Sequence, residues 1–187
     1  TLHEFKRLNI TNYDLSNPPA RLQVSIPKLK KGGVNALFFA LFVKQEWGVV
    51  GGRQRIDDLL AICDKLVAQN DELYYGHKPD DIGVRPNDIS ISLGIENGCV
   101  LGDDLNLINY YFGNGVRYIT LCHNYSNQIC DSSTDSPIHN GLSAFGKKVI
   151  HRMNQVGMMV DISHASDKAV DEILDITERP VIASHSN

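Results

Sequence analysis

"MMVDISHAS" (residues 158–166) and "RPVIASHSN" (179–187) decide how this chain is read. In the first, apolar residues lead into Asp161, Ser163 and His164; in the second, Val181 and Ile182 lead into Ser184 and His185. Short apolar runs of this kind, set between helical patterns, are read as strands of a parallel sheet buried on both faces. A single histidine at a strand end is most simply a hydrogen-bonded polar residue near the surface. Two of them, at matching ends of successive strands, call for a chemical explanation.

Working outward, Ser166 can cap a helix with Val170, Ile173 and Leu174 inward, and Pro180 sits at a strand entry, where a missing N–H is tolerated. Upstream, Ser143 is an N-cap for a helix with Phe145, Val149, Met153 and Val156 on one face, stopped by Gly157. "VRYITLCH" (116–123) and "ISISLGIENG" (89–98) are strands, separated by a short helix carrying Leu105, Ile108 and Phe112, which Asp103 can cap. "VNALFFALFV" (34–43) is another apolar run, which predicts a strand covered on both faces. The helix over 53–69 after it places Ile56, Leu59, Leu60, Cys63, Leu66 and Val67 at i, i+3, i+4, i+7 spacing. Five strands alternating with helices mean βαβ units and an α/β fold. No Gly-x-Gly-x-x-Gly turn follows the first strand, so a dinucleotide-binding sheet is disfavoured. Polar groups recur at C-terminal strand ends, which points to a (β/α)8 TIM-type barrel of which the chain supplies about five strands. An open sheet is the alternative.

Bulk properties fit one globular domain over residues 1–187. Hydrophobic residues are 42% and charged residues 21%, and the net charge is −4 with no block of like charges. Nothing suggests nucleic acid; Lys28, Lys30 and Lys31 read as a solvated helix or loop start. No stretch approaches the roughly 18 apolar residues of a membrane span. The start, "TLHEFKRLN", has no apolar h-region and no initiator methionine. Cys63, Cys99, Cys122 and Cys130 show no metal-ligand spacing, and Cys63 reads as a small buried hydrophobe.

At the C-terminal strand ends stand Glu96, His123, His164 and His185. Neighbouring parallel strands lie about 4.8 Å apart, so His164 and His185 can reach one point. Two imidazoles and a carboxylate converging at a barrel mouth make a metal site with an open position, the catalytic pattern for zinc. The same donors can hold manganese, cobalt or iron. A Glu96 carboxylate ending "SISLGIE" would be destabilising there without a cation. His3, His77, His139 and His151 follow no apolar strand and are read as surface residues.

At these residues the chain resembles a known family. "SLGIENG", "GVRYITLCHN", "GLSAFGKKVIHRMNQVGMMVDISHAS" and "RPVIASHSN", with "VSIPKLKKGGVNALFFALFV" near the start, are similar to the membrane (renal) dipeptidase family of zinc metallopeptidases. The resemblance implies an amidohydrolase-type barrel holding two zinc ions and cleaving the peptide bond of dipeptides through a metal-bridging hydroxide. Glu96 would bridge both ions, and His164 and His185 would complete the second. His123 would contact substrate and steady the oxyanion, and the 124–141 loop would form part of the pocket. A homodimer belongs to the same set of expectations. The family's His-x-Asp motif, substrate arginine and acid/base aspartate have no counterpart in the chain, which therefore reads as an interior portion of a longer barrel. Two other readings stand beside this one: another amidohydrolase-type amide or lactone hydrolase, and a non-catalytic ligand-binding barrel.

Overall fold

The helix caps explain where the chain turns. Ser143 Oγ accepts from Gly146 N and Ser166 Oγ from Ala169 N, opening two of the helices, and Gly157 closes the first of these in the left-handed conformation (φ +80°). The structure is a computed structural model that describes residues 2–7, 10–20 and 22–186, without the side chain of residue 3. The surface reading of His3, and Asn187 of the last motif, fall outside the described residues. In chain order the elements are α1 (Leu2–Arg7), α2 (Ile26–Lys31), β1 (Ala36–Phe42), α3 (Gly48–Ala68), β2 (Leu73–Tyr75), β3 (Ile89–Glu96), α4 (Asn106–Gly113), β4 (Val116–Thr120), α5 (Ala144–Val156), β5 (Met159–Asp161) and α6 (Asp167–Ile176). The strands form one sheet in the order β1-β3-β4-β5, with β2 also on β3. The β2–β3 and β4–β5 pairs are parallel.

The chain gathers into two compact units, Thr1–Leu41 with Ile56–Leu93, and Phe42–Arg55 with Gly94–Asn187. The first is built on the α3 stripe: Ile56, Leu59, Cys63 and Leu66 are buried, as are Leu73, Ile89, Ile91 and Leu93 of β2 and β3. Asn70 closes α3, donating to the carbonyls of Leu66 and Tyr13 at 2.7 Å each while accepting from Leu15 N at 2.7 Å. Burial pushes the Cys63 thiol up to about 12, as befits a structural hydrophobe. The three lysines near the start lie exposed on α2.

The second unit carries the strand ends of interest. β4 and β5 pair through Tyr118↔Met159, Ile119↔Val160 and Thr120↔Asp161. Val149, Ile150 and Met153 of α5 and Ala169 and Ile173 of α6 are buried. Gly146 is obligatory at the start of α5, because an added Cβ would meet the carbonyl oxygen of Ile129 at 2.1 Å.

Several expectations need correction. The expected strand over 179–186 shrinks to one parallel bridge, Asp161↔Ile182. Its next backbone donors turn to side chains instead: Ser184 N goes to Asp161 Oδ1 and His185 N to Ser163 Oγ. β2, only three residues long, shows no period a sequence could reveal. β1 is covered on one face only: Phe39 and Leu41 are buried, while Phe38, pointing to the opposite face, is 47% exposed. Leu174 of α6 is exposed, and Asp104 rather than Asp103 accepts from Asn106 N at the start of α4.

Gly146→Ala should destabilise the fold by about 1–3 kcal/mol, since a backbone carbonyl cannot swing away. Chemical denaturation checks this; an unchanged midpoint would contradict the packing described.

Candidate metal centre

Glu96, His123 and His164 are delivered by the ends of β3, β4 and β5, and His185 by the segment that bridges to β5 at Ile182, all within the second unit. β3 ends in Glu96, after which Asn97 (φ +88°) turns the chain, its Oδ1 accepting from Cys99 N and its amide donating to Val43 O. His123 stands three residues past the end of β4, and Phe42 meets its ring edge-on with centroids 5.0 Å apart. His164, three residues past β5, adopts φ +67°, a left-handed conformation uncommon for a residue with a Cβ. That backbone is held by its surroundings: Ser133 N donates to His164 O at 2.8 Å, and Ser132 Oγ donates to His123 O at 2.6 Å. The 124–141 loop therefore grips two of the histidine backbones. It is itself ordered by Asp131, which accepts from the N–H groups of Ile138, His139 and Gly141 at 2.8, 3.0 and 2.8 Å.

The side chains converge. His164 Nε2 lies 2.7 Å from His185 Nε2, and Glu96 Oε1 lies 3.9 Å from the first and 3.7 Å from the second. Donor atoms of Glu96, His164 and His185 all fall within 4.8 Å of one another, the one such group among the described residues. His123 is not set apart by distance: its Nε2 is 3.5 Å from Glu96 Oε1, and its ring centroid is 4.3 Å from that of His164. Beside His123, a cavity of about 220 Å³ is lined by Phe42, Lys44, Gln45, Asn97 and Tyr125, among others.

Burial, then the neighbouring histidines, pushes the His123 imidazole below its ordinary pKa; burial, then His185, does the same to His164. Both shifts favour the neutral ring, the form that ligates a metal. Burial pushes the Glu96 carboxyl up, which His185 opposes and Asp161 reinforces. Two carboxylates in one half-buried site favour a cation. The donor set fits zinc in kind, two imidazole nitrogens and an oxygen. The nitrogen separation is a hydrogen bond's, one ring donating to the other, and is shorter than the roughly 3–4 Å two ligands of one zinc require. A small ring movement covers the difference.

Three features escape the sequence reading. Asp161, fully buried, was visible in the motif but carries no role there, although the desolvation argument applied to Glu96 applies to it more strongly. Thr120 donates to it at 2.5 Å. His139 is half-buried rather than a surface residue, with Nε2 2.8 Å from Asn127 O inside the loop; His77 and His151 are exposed as expected.

The chain matches the membrane dipeptidase family (peptidase family M19) over residues 1–187. The chain belongs to the membrane dipeptidase family. It is 33% identical over 179 residues to dipeptidase tcpJ of Claviceps purpurea, covering 88% of this chain and 41% of that protein. Dipeptidase 3 of Mus musculus is 29% identical over 198 residues, covering 98% and 37%. Among solved structures, a metallopeptidase from Rhodobacter sphaeroides, liganded with a phosphinate mimic of the dipeptide L-Ala-D-Ala, superposes with TM-score 0.89 at 14% identity, covering all of this chain and 62% of that one. The chain thus spans about two-fifths of the length of these two curated relatives. The superposition shows the fold to be part of a (β/α)8 TIM-type barrel. Membership of a metallopeptidase family implies a metal.

Burial raises the Asp131 carboxyl, but its three backbone donors outweigh this and hold it below the ordinary range. A depressed folded pKa adds stability that is complete above the unfolded value of about 3.9 and is lost as pH falls through the folded value. Asp131→Asn should therefore cost about 1–3 kcal/mol near neutrality, shrinking below about pH 4. Urea unfolding across pH checks this; a penalty constant down to pH 2.5 would contradict it.

Proposed function

We propose that the whole protein is a zinc-dependent dipeptidase, and that residues 1–187 form a portion of its single barrel domain. The observation that carries this is the convergence of two imidazole nitrogens and a carboxylate, from the ends of β3 and β5 and the segment bridged to β5, in a chain of this family. In this reading Glu96, His164 and His185 would hold zinc, with Glu96 shared between two ions. Held there, zinc would supply Lewis-acid polarisation of a carbonyl and a lowered pKa for water. His123, neutral and facing the cavity, donates a hydrogen bond to the oxyanion as the carbonyl becomes tetrahedral, a role typically worth 10²–10³ in rate. The ring is oriented for this by Phe42 and by the loop that grips its backbone. The phosphinate dipeptide mimic bound by the structural relative supports dipeptides as the substrate class, because a phosphinate is tetrahedral where the attacked carbonyl becomes so. The cavity beside His123 is of a size for one small side chain or terminus.

Stripping the whole protein with a strong chelator should abolish dipeptide hydrolysis, and zinc should restore it. His164→Ala and His185→Ala should each lose one of two zinc ions. His123→Ala should keep both and slow turnover about 10²–10³-fold. Metal counting on purified variants, beside the assay, checks all three. Full activity after metal depletion would end the metal reading, and zinc loss in His123→Ala would make His123 a ligand.

A further inference from the structure

The unexplained element of the site is the serine before each histidine, and both serines lead to Asp161. Asp161 Oδ1 accepts from Ser163 N at 3.1 Å, Ser163 Oγ at 2.8 Å and Ser184 N at 3.0 Å. Oδ2 accepts from Thr120 Oγ1 at 2.5 Å and Ser184 Oγ at 2.6 Å. One carboxylate thus binds the segments that carry both histidines, and it sits fully buried between them.

The hydroxyl of Ser184 has a single proton, and the short contact to a carboxylate fixes where it goes. His185 Nδ1 lies 2.8 Å from the same Ser184 oxygen. With the serine proton committed to Asp161, Ser184 can only accept there, so Nδ1 of His185 must carry the hydrogen. His185 Nε2 is then bare and turned toward Glu96 and His164, and His164 Nε2–H donates to it at 2.7 Å. We propose that Asp161 and Ser184 are positioning residues: the carboxylate, acting through the serine hydroxyl, sets the ring tautomer of His185 and so presents its Nε2 lone pair to the metal position. This deepens the reading of His185 as a metal ligand and rests on it.

The inference makes an unusual demand on Asp161→Asn. Three donors converge on Oδ1, so the amide oxygen must occupy that place and the NH₂ must take the place of Oδ2. The amide then donates to Ser184 Oγ, freeing the serine proton to turn to His185 Nδ1. The tautomer should invert, leaving hydrogen on Nε2, where it blocks ligation.

The test uses the whole protein with ¹⁵N-labelled histidine. Ring nitrogen shifts are read in the metal-free protein, and zinc affinity by chelator competition. The wild type should show the Nδ1–H form of His185 and Asp161→Asn the Nε2–H form, with zinc held at least about tenfold more weakly. Ser184→Ala, at an exposed residue whose backbone N–H still bonds Asp161, should lose the Nδ1–H preference and a similar share of affinity, and Ser184→Thr, which keeps the hydroxyl, should restore both. Thr120→Val removes a donor to the same carboxylate but none to the histidine; its tautomer and affinity should stay within about twofold of wild type. An Nε2–H ring in the wild type, or an Nδ1–H ring and unchanged zinc affinity in Ser184→Ala, would overturn the proposal. An equal loss in Thr120→Val would do so too, reducing Asp161 to a structural group. A wild type with the Nδ1–H ring that takes up no zinc would uphold the relay and defeat the metal reading instead.

Discussion

A buried carboxylate with five donors around it, Asp161 at the end of β5, is the constraint on which the described site depends. Taking an ionised carboxylate out of water is costly unless its lone pairs are met. Burial alone would raise Asp161, but the hydroxyls of Ser184 and Thr120 and the backbone of Ser184, with Ser163, hold it below the ordinary range. The same bonds that keep it charged tie β4, β5 and the segment after Pro180 together. They also replace the ladder that segment would need to be a strand. Packing and chemistry meet in one group here: the bonds that satisfy a buried charge are those that bring His164 and His185 to face each other.

Charge in the site is arranged asymmetrically. Asp161 is satisfied and inward, whereas Glu96 is pushed up and, among the described residues, faces three imidazole nitrogens at 3.5–3.9 Å. Burial lowers the His123 and His164 imidazoles, which disfavours positive charge beside Glu96. A half-buried carboxylate that burial pushes up, beside a second carboxylate in Asp161, is a site that a cation would stabilise. The surrounding loop adds rigidity rather than charge, gripping the main chain of His123 and His164 through Ser132 and Ser133. The strained φ of His164 persists because those contacts and Asp161 fix the residues on either side.

Much of this was legible in the sequence, and what was not has physical reasons. Ser143, Ser166 and Gly157 cap their helices as read, because capping is decided within four residues. The four strand-end residues could be collected because each closes an apolar run, and apolar runs mark buried strands. The run 34–43 misled for a related reason: composition says that β1 can be covered on both faces, not that it is. The strand expected at 179–186 failed because its hydrogen bonds go to side chains across 21 or more residues, which no local pattern encodes. His139 was misplaced similarly, its partner Asn127 lying across the loop. The separation of His123 from the other histidines came from resemblance, and distances to Glu96 do not reproduce it.

The central claim, that Glu96, His164 and His185 hold a metal, is tested most directly by crystals of the whole protein grown with zinc and measured on either side of the zinc absorption edge. The account predicts an anomalous peak about 2.0–2.1 Å from the Nε2 atoms of His164 and His185, with a Glu96 oxygen at about 2.0–2.2 Å. The two rings should have drawn slightly apart to admit it. A zinc-loaded crystal with the peak elsewhere, and His164 still bonded to His185, would contradict it.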